Sequence, residues 1–395
     1  MALPIGVLRS ANWLTAERAR AWCRILAAMS LAAAIAWVGL SRDGIDRMGK
    51  PLGTDFVSFW TAARLVRAGD TAAPYQPATH AAAEQAEFPT VTVGYYAFFY
   101  PPVALLLFLP LAVLPYSAAL VVWLSGTGLA VLACLRRLLP QRWALLPMLA
   151  FPAVLVNAGH GQNGFLSTAC IGGGMLLRRR PLLAGMCLGA LVFKPQLALL
   201  VPVGLLAARR WRMLAGASLS ASGLCALSWL LLGDAAWRSF FDLAPLARMT
   251  LEAGLVDPAK MVSTFAAMRL LHCGVGLAYA VQAVVTVGTG NLLARTLARR
   301  PGGHAEGAML AAAVMLAAPF LLDYDLMVLA LPLAWVMAEA QRVGWQPWEK
   351  LALLAAYALP LLARPLAMNV GIPLAPLVLA GLLVVVTRRA EGRPA

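Results

Sequence analysis

The chain has 395 residues, of which 61% are hydrophobic and only 12% charged, and its formal net charge is +15. Soluble domains carry about 25% charged residues, so this composition excludes an ordinary soluble protein and indicates an integral membrane protein. Most of the excess positive charge lies in short arginine clusters, which membrane topology and anionic headgroups explain better than nucleic-acid binding does.

Apolar runs predict the membrane spans in chain order. They cover approximately 22–40, 103–114, 116–135, 143–157, 162–177, 181–193, 197–208, 212–232, 272–294, 305–320, 326–341, 349–363 and 371–387. The segment 103–114 contains Pro110 and follows two prolines, so it is too short to cross straight. We predict that it is a short re-entrant piece shielded by protein. The expected fold is one all-α polytopic bundle over residues 1–395, with about twelve crossings and both termini cytoplasmic.

The loops between these spans are of two alternating kinds. Arginine-rich short loops mark the cytoplasmic face, and they occur at 136–142, 178–180, 209–212, 295–300 and 388–389. The remaining loops carry most of the polar groups and are expected to gather on the outer face. Two of them, 41–100 and 233–262, are long and contain helical apolar spacing, which predicts a helix lying on the membrane in each.

Asp55 is the leading candidate for chemistry. It precedes apolar residues at 56, 59, 60, 63 and 66, so it stands at the start of a predicted helix. An acid there could act as a general base toward a hydroxyl. The alternative is a helix N-cap, and the two roles can coexist.

Lys194 is the sharpest anomaly, because it is a basic residue between apolar spans on the outer side. Its natural partner is an anion such as phosphate, and snorkelling toward headgroups is the alternative. Arg364, near the outer end of a late span, is a second candidate for contacting the anion. It could instead be an ordinary interfacial residue.

Further outer polar groups are expected to bind substrate. The turn His160-Gly161-Gln162-Asn163 could hydrogen-bond sugar hydroxyls, although a polar hairpin cap explains it equally well. Asp323 and Asp325 form a D-x-D sequence that could hold a divalent cation or simply cap a helix, and we assign no metal. The complete set of expected substrate-binding residues is Tyr75, Tyr100, His160, Gln162, Asn163, Gln196, Asp323 and Asp325. Walker A and G-x-G-x-x-G motifs are absent from the sequence, and no cofactor is expected.

Several short motifs follow one another in a fixed order along the chain. They are Asp55-Phe56, Ala62-Ala63-Arg64, Pro74-Tyr75, Phe99-Tyr100-Pro101-Pro102, Gly161-Gln162, Arg178 to Gly185, Lys194-Pro195 and Arg209-Arg210-Trp211. This ordered series resembles glycosyltransferase family 87, a GT-C group that includes polyprenol-phosphate-mannose-dependent α-mannosyltransferases. The resemblance covers roughly residues 50–215, and the second half departs from the family pattern around 261–264 and 318–325.

The resemblance implies a GT-C fold and an inverting transfer of a hexose, with mannose as the expected sugar, from a polyprenyl-phosphate donor to an envelope lipid or glycan. Asp55 would be the catalytic base, and Lys194 and Arg364 would bind the donor phosphate. The expected location is a bacterial inner membrane, with the site facing the periplasm or cell exterior. The alternative is a transporter or flippase of a polyprenyl-linked sugar, although the sequence shows no convincing internal repeat.

Overall fold

A computed structural model describes residues 5–91, 94–299 and 302–392. Within these ranges the chain is helical, with isolated bridges and no strand. The α-helices are Ile5–Ser10, Ala16–Gly39, Phe56–Arg67, Pro77–Glu87, Leu105–Phe108, Tyr116–Leu138, Leu145–Leu149, Pro152–His160, Gly164–Leu176, Pro181–Gly189, Pro195–Ala198, Val201–Ala207, Trp211–Glu252, Thr264–Leu270, Val275–Ala298, Ala305–Ala317, Ala330–Val343, Glu349–Val370 and Leu374–Ala390. Short 3-10 segments are Ala73–Tyr75, Pro102–Ala104, Leu111–Val113, Arg142–Ala144, Ala190–Phe193, Pro258–Lys260 and Asp323–Leu329.

Six helices in the described ranges are long and apolar enough to cross a membrane, or seven if a pair bent by 52° counts as one span. The six are Ala16–Gly39, Tyr116–Leu138, Trp211–Glu252, Val275–Ala298, Asp323–Val343 and Glu349–Val370, and the bent pair is Arg142–Leu149 with Pro152–His160. The protein therefore has the helices of a multi-pass membrane protein, whereas the expected count of about twelve crossings is not confirmed.

The shortfall has a physical cause in the spacing of breaks along the chain. Four other apolar segments form shorter helices, at Gly164–Leu176, Pro181–Phe193, Pro195–Ala207 and Ala305–Ala317. The helix Gly164–Leu176 has 13 residues, which gives about 20 Å against a hydrocarbon core of about 30 Å. Three arginines and Pro181 separate the first two of these helices, and Lys194 and Pro195 separate the second from the third, so each apolar run ends before it is long enough to span.

The segment 103–114 contains no straight spanning helix, as expected. It is broken into the short pieces Pro102–Ala104, Leu105–Phe108 and Leu111–Val113, and Leu105 and Phe108 are fully buried in protein. Its insertion into the membrane stays a prediction.

The helix Phe56–Arg67 begins where the apolar spacing predicted, but its surroundings differ from the expectation. All residues from Phe56 to Ala63 are buried in the protein, with Phe59 stacked on Phe108 at 4.6 Å between ring centroids. The indole of Trp60 also donates to the carbonyl of Leu114 at 3.2 Å. The first two turns of this helix are therefore covered by the 103–114 segment and not by lipid.

The second long outer loop also contains a helix. The helix Trp211–Glu252 has a break at Gly233, where φ is 75° and ψ is −179°. This break lies at the predicted end of the span 212–232. The helix continues after it, as the apolar spacing in 233–262 predicted, and this part carries Trp237, Phe240 and Phe241.

Two glycines allow two helices to pack in close contact. A Cβ at Gly185 would lie 1.9 Å from the carbonyl oxygen of Met213, and one at Gly189 would lie 2.1 Å from that of Ala217. The helices Pro181–Gly189 and Trp211–Glu252 thus touch backbone to backbone.

Two of the arginine-rich loops meet at one end of the bundle. Arg178 and Arg210 both pair with Glu306, at 3.1 Å and 2.5 Å, at the start of the central helix Ala305–Ala317. Arg299 pairs with Glu391, which joins the last two clusters, while Arg300 lies outside the described residues. Asn163 precedes the helix Gly164–Leu176 and Arg178 follows it, so that helix separates the polar turn from the arginine end by about 20 Å.

Candidate functional site

Asp55 stands at the N-cap position of the helix Phe56–Arg67, but its side chain makes no cap hydrogen bond. The backbone instead forms a tight turn in which the N–H of Phe56 donates to Gly53 O at 2.6 Å. The N–H of Asp55 donates to His160 O at 3.1 Å, which ties this turn to the polar turn at 160–163. The carboxylate of Asp55 is therefore free of the capping role that competed with a catalytic one.

Three polar side chains surround that carboxylate. Gln162 Nε2 donates to Asp55 Oδ2 at 2.8 Å, and His160 Nδ1 lies 3.9 Å from Oδ1. The hydroxyl of Thr54 lies 3.1 Å from His160 Nδ1 and 3.4 Å from Asp55 Oδ1. The Asp55 side chain remains 29% exposed, so it is oriented by its neighbours and still reachable from outside.

The amide of Gln162 is itself fixed by two donors. The hydroxyl of Tyr100 donates to Gln162 Oε1 at 3.3 Å, and the N–H of Asn163 donates to the same oxygen at 3.2 Å. Burial is the main cause of a raised pKa for Tyr100, so its phenol keeps the proton that it donates. With Oε1 occupied as an acceptor, Nε2 must face Asp55, and the orientation of the amide follows from the hydrogen bonds.

Gly161 permits the close approach of the two turns. It ends the helix Pro152–His160 in the left-handed conformation, with φ of 62°. A Cβ there would lie 2.6 Å from Phe56 Cβ and 3.0 Å from Gly53 O. Only glycine combines this φ with this contact at no cost, so the Gly-Gln sequence brings Gln162 within reach of Asp55.

Lys194 lies next to the residues around Asp55 and is almost fully enclosed by protein. Its ammonium donates to Asp325 Oδ1 at 2.5 Å and to Asn163 Oδ1 at 2.9 Å. It also lies 4.8 Å from the centre of the Tyr324 ring. The side chains of Lys194 and Asp325 are each 1% exposed. In this arrangement a carboxylate occupies the place beside the ammonium where a donor phosphate was expected.

The other charged pair is more open. Arg364 lies with one guanidinium nitrogen 3.6 Å from Asp323 Oδ2, and its side chain is 33% exposed against 7% for Asp323. Asp323 Oδ1 accepts the N–H of Tyr324 at 2.9 Å, so the first aspartate of the D-x-D sequence also starts the helical segment. The ring of Tyr324 lies 5.9 Å from that of His160. The pair of Arg364 and Asp323 therefore adjoins the residues that surround Asp55.

Two expected site residues do not join the network. Tyr75 is 3% exposed and packs against Phe98 and Phe240 at 5.7 Å and 5.8 Å between ring centroids. Its hydroxyl has no hydrogen-bond partner in the described part of the chain. Gln196 is half-buried on the turn that follows Lys194, and no contact of its side chain ties it to Asp55 or to the Lys194 pair.

The remaining expected residues converge although they come from distant parts of the chain. Lys194 and Asp325 are separated by 131 positions, and Gln162 and Asp55 by 107. Sequence reasoning placed them on one face but missed which groups pair, and no local spacing could have shown it. It also missed Thr54 as a neighbour of His160. Among the residues with described positions, no three His, Cys, Asp or Glu side chains form a group suited to a metal ion.

The model of glycosyltransferase family 87 matches residues 98–323, which is more than half of the chain. The match begins after Asp55 and ends at Asp323, so it includes the 160–163 turn and Lys194 but neither Asp55 nor Arg364. No curated protein and no solved structure matches the chain. The match confirms the family that the ordered motifs indicated. Its range differs from the expected 50–215, because it leaves out the three motifs before residue 98 and extends to residue 323.

Proposed function

Because the chain belongs to glycosyltransferase family 87, we propose that it transfers a hexose, expected to be mannose, from a polyprenyl-phosphate donor to a lipid or glycan acceptor of the cell envelope. The fold would be of GT-C type and form one domain over residues 1–395, with inversion at the anomeric carbon. Membership of a glycosyltransferase family favours sugar transfer over the alternative, which is transport of a polyprenyl-linked sugar.

The observation that carries this proposal is the state of the Asp55 carboxylate. It makes no cap hydrogen bond, it is held by Gln162, and about a third of its side chain is exposed. A general base needs an oriented and reachable lone pair. Asp55 would take the proton from the acceptor hydroxyl as that oxygen attacks the anomeric carbon from the face opposite the leaving phosphate.

Arg364 is the proposed first contact for the donor phosphate. Its guanidinium is one-third exposed and its partner Asp323 lies at 3.6 Å, which is a loose pair that a phosphate could replace with bidentate hydrogen bonds. Positive charge here would stabilise the phosphate that leaves, and it would do so most strongly where water is excluded.

Lys194 has two proposed roles that experiment can separate. Its ammonium is held by Asp325 and Asn163, so in this geometry it supports the chain of contacts that runs through Asn163 and Gln162 to Asp55. The family resemblance assigns it to the donor phosphate, and that role requires the phosphate to take the place of Asp325.

The membrane setting suits this reaction. The polar site and the arginine-rich end lie at opposite ends of the helix Gly164–Leu176. With basic loops on the cytoplasmic side, the site would face the periplasm or cell exterior of a bacterial inner membrane. A prenyl donor could then reach it laterally from the bilayer.

Replacing Asp55 with asparagine tests the proposal. The variant keeps the size and the contact with Gln162 but cannot accept a proton, so transfer by purified protein in detergent should fall by about 10²-fold or more. Asp70→Asn is the matched control, because Asp70 lies in the same loop and only caps the turn before Pro74. Turnover by Asp55→Asn close to that of the control would refute the assignment. Transfer in detergent, where there is no second compartment, also separates a transferase from a transporter.

A further inference from the structure

A cavity lies beside the turn that contains Asp55, between the helices Phe56–Arg67 and Pro77–Glu87. Its volume is about 190 Å³, and its wall includes Val57, Ala81, Glu84, Tyr95 and Tyr96. A water molecule occupies about 30 Å³ of liquid, so the cavity has room for roughly six waters. That is the scale of one sugar ring.

Glu84 lies in the wall of this cavity and has one unpaired carboxyl oxygen. The residue is 7% exposed, and its Oε2 accepts the N–H of Tyr96 at 3.1 Å. Its Oε1 has no hydrogen-bond partner among the described residues. A buried polar atom without a partner is unfavourable. Oε1 is closed off from the cavity in this conformation, so a ligand would supply the missing partner once the carboxyl group turns toward it.

His80 does not supply that partner. Its Nδ1 lies 3.8 Å from Glu84 Oε1, which is too long for a hydrogen bond. Its Nε2 lies 3.1 Å from Ser58 O, which can only accept, so Nε2 carries the proton. Nδ1 is then the acceptor for the hydroxyl of Tyr95 at 3.3 Å. Both ring nitrogens are used, and burial lowers the pKa of His80 to about 4, so the ring is neutral.

The charge state of the cavity suits hydroxyl groups better than a cation. Burial raises the pKa of Glu84 to about 8, and the negative charge of Asp55 adds to the effect. Burial likewise raises the pKa of Tyr96 to about 12, again with a contribution from Asp55. A neutral carboxyl group can both donate and accept, as a sugar hydroxyl can. The cavity lies near the proposed base, because Pro51 and Val57, on either side of Asp55 in the chain, are part of its wall.

We propose that this cavity binds one sugar ring of the acceptor, with Glu84 hydrogen-bonded to a ring hydroxyl and Tyr95 and Tyr96 packed against the ring. This assignment rests on the proposed function, since the acceptor must present a hydroxyl to Asp55. A small pocket with aromatic walls and one convergent polar group is the usual form of a site that fixes the orientation of a ligand. Acceptors that carry a sugar at this position would be preferred over simple lipid alcohols.

Two variants of the cavity test the proposal in the purified, full-length protein. Glu84→Gln keeps an acceptor for the Tyr96 N–H but removes the carboxyl group, and Ala81→Phe fills the space. The matched control is Glu87→Gln, on the same helix, because Glu87 is exposed and pairs with Arg64 at 3.1 Å outside the cavity. The probes are octyl α-mannoside as acceptor with a short-chain polyprenyl-phosphate mannose as donor, and methyl α-mannoside for binding by saturation-transfer NMR.

The expected result is a rise of about tenfold in KM for octyl α-mannoside in both cavity variants, with the donor KM and kcat within about twofold of wild type. The NMR signal of methyl α-mannoside should fall in the same two variants and persist in Glu87→Gln. An acceptor KM equal to that of wild type in folded Ala81→Phe would overturn the assignment, and so would the absence of methyl α-mannoside binding to wild type. If wild type shows no transfer at all, the proposed function fails, while the binding measurement still decides the cavity.

Discussion

Lys194→Met tests whether the buried ion pair with Asp325 holds the site together. Methionine replaces most of the aliphatic stem and removes the charge. Asp325 Oδ1 would lose the ammonium at 2.5 Å, and Asn163 Oδ1 would lose its donor at 2.9 Å. Because both charged side chains are 1% exposed, water cannot replace the missing cation.

Removing one partner of a buried pair costs about 3–5 kcal/mol, because the other charge stays buried without compensation. With an unfolding entropy of about 2.1 cal/mol/K per residue, a chain of this length has about 0.8 kcal/mol/K in total. The expected fall in Tm is therefore about 4–6 °C. A smaller unfolding entropy in detergent would make this fall in Tm larger.

The double variant Lys194→Met with Asp325→Asn should recover stability. Asparagine keeps an acceptor for the N–H of Leu322, which lies 3.3 Å from Asp325 Oδ2, and removes the stranded charge. A double-mutant cycle of thermal unfolding should give a coupling of at least about 1 kcal/mol. Lys260→Met is the control, since Lys260 makes no ion pair within the described ranges.

A single variant as stable as the control would refute the reasoning, as would a double variant no more stable than either single one. The same proteins separate the two roles of Lys194. A stable double variant that regains transfer shows that Lys194 acts through its pair with Asp325. A stable double variant with a raised donor KM shows that its ammonium contacts the phosphate.

Arg364→Gln should raise the donor KM about 10-fold or more by removing a charge-assisted contact, and an unchanged donor KM in transfer assays would exclude the phosphate contact. Glu84, whose pKa rises from 4.5 to about 8, contributes stability that is complete below pH 4.5 and lost as the pH rises through about 8. Tm measured from pH 6 to 9 should fall less in Glu84→Gln than in wild type, and parallel curves would contradict the raised pKa. Gly161→Ala forces a Cβ to 2.6 Å from Phe56 at a φ of 62°, so Tm and kcat should both fall, by about 1 kcal/mol or more in stability. Normal kcat in that variant would show that Asp55 does not depend on this contact.

The sequence alone determined the class of protein and most of the helix positions. Composition indicated a membrane bundle, because apolar runs recur along the whole chain and only 12% of its residues are charged, where soluble domains carry about 25%. Each predicted apolar run contains at least part of a helix of the structure, and in 103–114 the helical pieces are short, as the prolines around that segment predicted. The order of short motifs identified the family, which the match over residues 98–323 confirms.

The sequence also grouped the polar residues, because alternation of basic and polar loops assigns each turn to a side. His160, Gln162, Asn163, Lys194 and Asp325 do lie together. What alternation cannot give is distance or burial. Tyr75 was grouped with them, yet it lies in an aromatic cluster, because a side of the membrane contains more than one cluster.

Only the tertiary structure decided which charges meet. The pairing of Lys194 with Asp325 and the hydrogen bond from Gln162 to Asp55 join parts of the chain more than a hundred residues apart. It also decided that the first two turns of the helix Phe56–Arg67 are enclosed by protein and that several apolar runs form helices of about 20 Å, too short to span the bilayer straight. Local sequence fixes the preference of a segment for helix and for lipid or protein surroundings. The partner of a buried charge is fixed by packing, since only the assembled bundle sets which group lies within 3 Å of it.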